Sequence, residues 1–164
     1  MSLMVLKACH YGDYVAGVAA GAYCGEGQVG NKSVTFYGFG GIKNTETLYA
    51  YGLAHFIHLR KMEEDEGFVQ VLIVNNGVTN FLKKYVPKWL ANGGLNSEGK
   101  VPDAYDAWLE VYTLILLSKI LINRPAGHYN SIFKSVGKIC EEKAKIAHSR
   151  GCFSENALVE QGEL

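Results

Sequence analysis

The sequence predicts an α/β domain on a mixed five-stranded sheet, three antiparallel strands first and then a parallel extension, flanked by helices. Three observations carry this. The first quarter of the chain is glycine-rich, and from Val15 to Gly41 it alternates small, apolar and aromatic residues, the pattern of antiparallel strands joined by tight turns. Residues 69–74 form an apolar run broken only by Gln70, as expected for a strand buried on both faces. Around that run lie segments whose apolar residues recur at helical spacing.

Candidate strands span 5–9, 15–24 and 33–40, with turns at Tyr11-Gly12-Asp13, Gly25-Glu26-Gly27 and Gly30-Asn31. Asn44-Thr45 opens a helix with Asn44 as its cap, and its buried stripe is Tyr49, Leu53, Phe56, Ile57 and the stem of Arg60. The acidic stretch from Glu63 to Gly67 closes it as a solvated loop. After the 69–74 strand a short helix is expected around 78–82, and another near Pro87, where proline suits a first turn. Residues 91–94 and 96–99 form a flexible loop. A helix over 103–118 turns Trp108, Val111, Tyr112 and Ile115 inward, and 119–123 is the last strand. The final helix, 132–148, buries Ile132, Val136, Ile139, Cys140, the stem of Lys143 and Ala147. Residues 151–164 lack periodicity and are expected to be a loosely ordered tail after a domain over 4–150.

At 164 residues and 48% hydrophobic, the chain suits one domain with a proper core. Sixteen basic residues balance sixteen acidic ones, so any contact with nucleic acid must come from a local patch. Cys9, Cys24, Cys140 and Cys152 form no CxxC pair and read as reduced cysteines of an intracellular, cytoplasmic protein. No apolar run is long enough to span a membrane. The Met1-Ser2-Leu3 prefix before Met4 is not a signal peptide and reads as an added segment. Gly38-x-Gly40-Gly41 lacks the Gly-Lys-Ser/Thr ending of a phosphate loop and reads as a strand end.

Several motifs in order complete the picture. The buried strand from Val69 leads into Asn75-Asn76-Gly77, then Tyr85-x-x-x-Trp89, a glycine-containing loop, Lys100-Val101-Pro102 and Asp106-x-Trp108. Lys43-Asn44-Thr45-Glu46-Thr47-Leu48 opens the first helix, and Ala126-Gly127-His128-Tyr129-Asn130 precedes Cys140-Glu141-Glu142-Lys143-Ala144. Their order and spacing resemble type I ribonuclease H (RNase H) from the first strand to about residue 148. The resemblance implies an RNase H-like fold and, in active members, cleavage of the RNA strand of an RNA–DNA hybrid. Two hard cations roughly 3.5–4 Å apart, held by three aspartates and a glutamate, do this chemistry.

Checked position by position, one of those acids is conservatively kept, one is displaced and two are absent. The first belongs on a strand whose counterpart, 5–10, contains none; the nearest is Asp13, either a displaced ligand or a turn residue. The helix glutamate falls on Thr47, with Glu46 one position earlier. That shift is about 100° around a helix, so Glu46 should point elsewhere unless the register differs. The strand-end aspartate falls on Asn75, or on Asn76 with a one-residue slip, and asparagine offers an oxygen without the charge. The last falls on Glu141. His128 is retained, either to orient a phosphate or to structure its own turn, while Pro125 replaces the family's first loop histidine.

The candidate catalytic set is therefore Glu141, Glu46, Asn75 and His128. Glu141, Glu46 and Asp13 are the candidate ligands for Mg²⁺ or Mn²⁺ if the chain is active; otherwise no cofactor is implied. Lys83, Lys84 and Lys88, beside Tyr85 and Trp89, are candidate contacts to nucleic-acid phosphates, with Trp89 expected in the core. His55 and His58 are expected on the surface of the first helix. The implied function is an RNase H-like domain that binds RNA–DNA hybrid or another nucleic acid with impaired or no cleavage. The alternatives are an active, divergent hybrid endoribonuclease and a protein-interaction or structural module.

Overall fold

The computed structural model describes residues 2–164; Met1 and the Asn76 side chain, the slipped alternative to Asn75, lie outside the described residues. Strands β1 (Ser2–Val15), β2 (Val18–Val29) and β3 (Lys32–Ile42) form an antiparallel meander. Helix α1 (Thr45–Met62) crosses over to β4 (Val69–Leu72), which runs parallel to β1, and β5 (Ile120–Asn123) runs parallel to β4. Between β4 and β5 come α2 (Asn76–Asn80), a π-helical turn over Phe81–Tyr85, α3 (Val86–Ala91) and α4 (Tyr105–Leu116). A 3₁₀ turn over Gly127–Tyr129 leads into α5 (Asn130–Ser149).

The first hairpin is longer than the sequence suggests. It reverses at Ala16 and Gly17, both at positive φ (51° and 82°), as a primed two-residue turn requires. The Tyr11-Gly12-Asp13 signal marks a different feature: the β1–β2 register shifts between Tyr11 and Val15, so Gly12 sits at an irregularity within β1. Gly25-Glu26-Gly27 is not a turn either. It lies inside β2, where a side chain at Gly25 would run into the Phe36 ring and one at Gly27 into Met4 and Phe56. Those glycines serve packing.

The tail is the largest departure. Leu158–Glu163 forms β6, antiparallel to β3, so the sheet has six strands in the order β5-β4-β1-β2-β3-β6. An edge strand covered on one side needs no long apolar run, and β6 alternates half-buried with exposed residues. It is also tied inward, because the Gln161 amide donates to the buried Tyr23 hydroxyl at 2.6 Å. Ser2 and Leu3 likewise belong to β1, opposite Val69 and Gln70.

Helices cover both faces of the sheet. On one, Met4, Leu6, Tyr23, Phe36 and Ile42 meet α1 and α4 through Leu53, Phe56, Trp108 and Val111. On the other, Val5, Ala20, Ala22, Cys24 and Phe39 meet Val136, Cys140, Ala144 and Ala147 of α5. The small residues of β2 let α5 lie close to the sheet, which brings its middle against the far half of β1. Among the described residues no helix is long and apolar enough to cross a membrane.

Candidate functional site

The site lies where β1 outruns β4. The parallel pairing of these strands ends at Val5–Leu72, so Lys7 to His10 project beyond it while the chain after β4 turns away at Asn75. Cys9 shares the strand parity of Val5 and faces α5, where its Sγ lies 3.3 Å from Cys140 Sγ. Glu141, the next residue on α5, is exposed but near enough to oppose ionisation of Cys9. From the other side α1 contributes Tyr49, hydrogen-bonded to the backbone of Ala8. Burial pushes the Tyr49 phenol up to about 12, and the Cys140 and Cys9 thiols and the Glu46 carboxylate add to that rise.

Asn44 caps α1 as expected: its Oδ1 accepts the Thr47 backbone N–H at 3.0 Å and the Thr47 hydroxyl at 2.7 Å. Thr47, the counterpart of the family glutamate, is thus buried and occupied by the cap. Glu46, one position earlier on α1, extends toward the turn after β4. Its carboxyl end lies against Gly77, where an added Cβ would collide with Glu46 and with Asn75 Oδ1 alike. Asn75 caps α2, its Oδ1 accepting the Gly77 N–H at 2.6 Å. Gly77 is the small residue that lets the Glu46 and Asn75 side chains share one spot.

Glu46 and Asn75 therefore meet at Gly77, and Glu141 lies on α5 near Cys9, while two candidates sit on other segments. Asp13 is exposed on β1 four residues past Cys9, beyond the irregularity at Gly12. His128 is exposed on the 3₁₀ turn before α5, its ring against Tyr129 at 4.1 Å, and about 16 Å of helix separates the start of α5 from Glu141. Among the described residues no three His, Cys, Asp or Glu side chains are arranged to hold a metal ion. The strand positions offer a thiol and an amide, and a pair of hard cations demands charged oxygens. This donor set does not fit the two-metal centre that the resemblance implies.

The basic cluster fares differently. Trp89 is buried against Phe81 and Tyr105, and Phe81 stacks on Trp108 at 5.0 Å, so the aromatics pin the π turn and α3 to α4. Lys83, Lys84 and Lys88 remain exposed beside Tyr85, which is itself 46% exposed. His58 is on the surface, but His55 is half-buried and bonded to Tyr23, so the expectation for His55 is corrected.

Cys9 and Cys140 are what the sequence reading missed. They are 131 residues apart, and only strand parity at Val5 and Cys9, combined with the helical stripe through Val136 and Cys140, places them on facing surfaces.

Comparison with known proteins bears on the fold. No protein-family model and no curated protein sequence matches the chain. Solved structures do. A foamy viral protease–reverse transcriptase in complex with dsDNA aligns at a TM-score of 0.57 and 13% identity, over 87% of this chain and 92% of that one. Another structure of the foamy viral enzyme, in complex with RNA/DNA hybrid, aligns at 0.53 and 12% identity, over 87% of this chain and 19% of the other. A type 1 RNase H with the type 2 active-site motif aligns at 0.58 and 11% identity, over 98% of this chain and 78% of that one. The chain has an RNase H-like fold.

Proposed function

We propose that this chain is a nucleic-acid-binding RNase H-like module that holds an RNA–DNA hybrid or a related duplex with little or no cleavage. One observation carries the reading: beside the end of β4, where two-metal hydrolysis needs charged oxygens, β1 presents Cys9 and the turn after β4 presents Asn75, whose oxygen accepts a helix N–H. Lys83, Lys84 and Lys88 supply exposed cations on a rigid aromatic base for contacts to phosphate. Structural neighbours in complex with dsDNA and with RNA/DNA hybrid support a duplex as the ligand.

The test is anisotropy of a labelled hybrid against salt, run beside a cleavage assay in Mg²⁺ or Mn²⁺. Binding should weaken steeply with salt, and replacing all three lysines by alanine should lower the salt slope by up to about 3. No cleavage is expected, and Glu141→Ala should leave binding intact. Metal-dependent cleavage by the wild type that is lost in Glu141→Ala would overturn the reading in favour of an active enzyme. Absence of salt-sensitive binding would leave a protein-interaction role.

A further inference from the structure

The reduced Cys9–Cys140 pair is unlike the other two cysteines. Its sulfurs lie 3.3 Å apart, joining β1 to α5 across the sheet-helix interface. Cys140 is fully buried, and Ala22 O at 3.2 Å and Lys7 O at 3.6 Å also lie within reach of its S–H. Cys9 is half-buried. A disulfide needs a sulfur separation of about 2.05 Å, so the gap closes by roughly 1.3 Å, or about 20° of rotation around each Cα–Cβ bond.

We propose that Cys9 and Cys140 form a modification site, a dithiol that hydrogen peroxide or an organic hydroperoxide converts to an intramolecular disulfide. The Cys9 thiolate attacks one peroxide oxygen; the O–O bond breaks, Cys9 becomes a sulfenic acid, and the other oxygen leaves as water or alcohol after taking a proton. Cys140 sulfur then attacks Cys9 sulfur, the S–S bond forms, and hydroxide departs with the Cys140 proton as a second product, water. Two thiols are oxidised and one peroxide is reduced. The order of events follows from exposure: half-buried Cys9 is the sulfur a peroxide can meet first, and fully buried Cys140, 3.3 Å away, resolves it. Burial pushes the Cys24 thiol up to about 12 and raises Cys152, so neither competes as first nucleophile. The inference does not depend on the nucleic-acid reading.

Folded, reduced protein would be treated with stoichiometric hydrogen peroxide, alkylated, and analysed by intact mass and non-reducing peptide mapping. The expected result is loss of two hydrogen atoms per chain and one cross-linked peptide pair, containing Cys9 and Cys140, with Cys24 and Cys152 alkylated. Cys140→Ser should stop at a Cys9 sulfenic acid that a 1,3-dione traps. Cys9→Ser, at the half-buried position where folding is least at risk, should leave Cys140 unoxidised. The proposal is overturned if wild-type Cys9 and Cys140 stay alkylatable or pair with Cys24 or Cys152 instead. It also fails if guanidinium-unfolded protein yields the same cross-link, since the pairing would then owe nothing to the fold.

Discussion

Tyr23→Phe isolates the contact that ties the last strand to the core. The Tyr23 side chain is fully buried, its ring edge-on to His55 and tilted against Phe36. Its oxygen accepts from the Gln161 amide at 2.6 Å and lies 2.8 Å from His55 Nδ1, to which the phenol O–H donates when neutral His55 carries its proton on Nε2. Removing the oxygen leaves Gln161 free to find water, because it is exposed, but strands Nδ1 of a half-buried histidine. One lost hydrogen bond at about 1 kcal/mol, plus part of the penalty for an unsatisfied acceptor, gives roughly 1–2 kcal/mol. For a chain of this length that is a Tm drop of roughly 2–8 °C.

The same contact makes stability depend on pH. Burial, reinforced by nearby His58 and opposed by Glu163, lowers the His55 pKa below its ordinary value. The unfolded chain therefore takes up the proton first as pH falls. The His55 contribution is complete above about pH 6.5 and is lost as pH drops toward the folded value. Urea melts of wild type, Tyr23→Phe and His55→Gln at pH 8, 6.5 and 5.5 would read both effects. His55→Gln should be less pH-sensitive than wild type across that window. Parallel pH profiles for wild type and His55→Gln, or a Tyr23→Phe protein as stable as wild type at pH 8, would refute the reasoning.

Two further perturbations follow from the same packing. Deleting residues 158–164 should uncover the β3 edge and the Tyr23 hydroxyl together, giving a lower urea midpoint and concentration-dependent association on a sizing column. Asp65→Asn should cost about 2–3 kcal/mol, below the range for a fully buried pair because the Asp65 side chain is 16% exposed, since it strips the charge partner from Arg60, whose Nε already lacks a hydrogen bond. The hydrogen bond from Arg60 holds the Asp65 carboxyl below its usual value, so this stabilisation is full above about pH 3.9 and disappears as pH falls through the folded value, which acid titration of the two proteins would show.

The central strands and the long helices were legible because burial imposes a period on them. Residues 69–74 and the stripes of α1 and α5 had to read as they do to fill two layers. β6 was not legible, since its partner supplies the backbone pairing and its anchor, Gln161, is a polar residue acting at a distance of 138 positions. Gly12 misled because a glycine at positive φ within a strand and one in a turn look alike in sequence. Where the Glu46 carboxylate ends was not legible for a different reason. Helix geometry fixes where Cβ points, not where a flexible carboxylate ends, and whether it can reach Asn75 depends on Gly77, on another element.

The composition of the site makes a last expectation quantitative. In a two-metal nuclease the carboxylates repel phosphate, and the cations must neutralise them before substrate can enter. A charge pair 5 Å apart contributes about 3 kcal/mol at an effective dielectric of 20 and about 0.8 kcal/mol in bulk water. Here the β1 and β4 positions carry a thiol and an amide, and the exposed Glu141 sits toward the water limit. If the chain binds a duplex as proposed, its phosphates would meet at most the repulsion of Glu46, while Lys83, Lys84 and Lys88 would attract them. Binding should not need a divalent cation: chelation with EDTA at constant ionic strength is expected to change hybrid affinity by less than about threefold, since each full tenfold would require 1.4 kcal/mol of metal-dependent attraction. Anisotropy with and without EDTA decides it, and loss of binding on chelation would mean that a cation still bridges Glu46 and Glu141 to the backbone of the duplex.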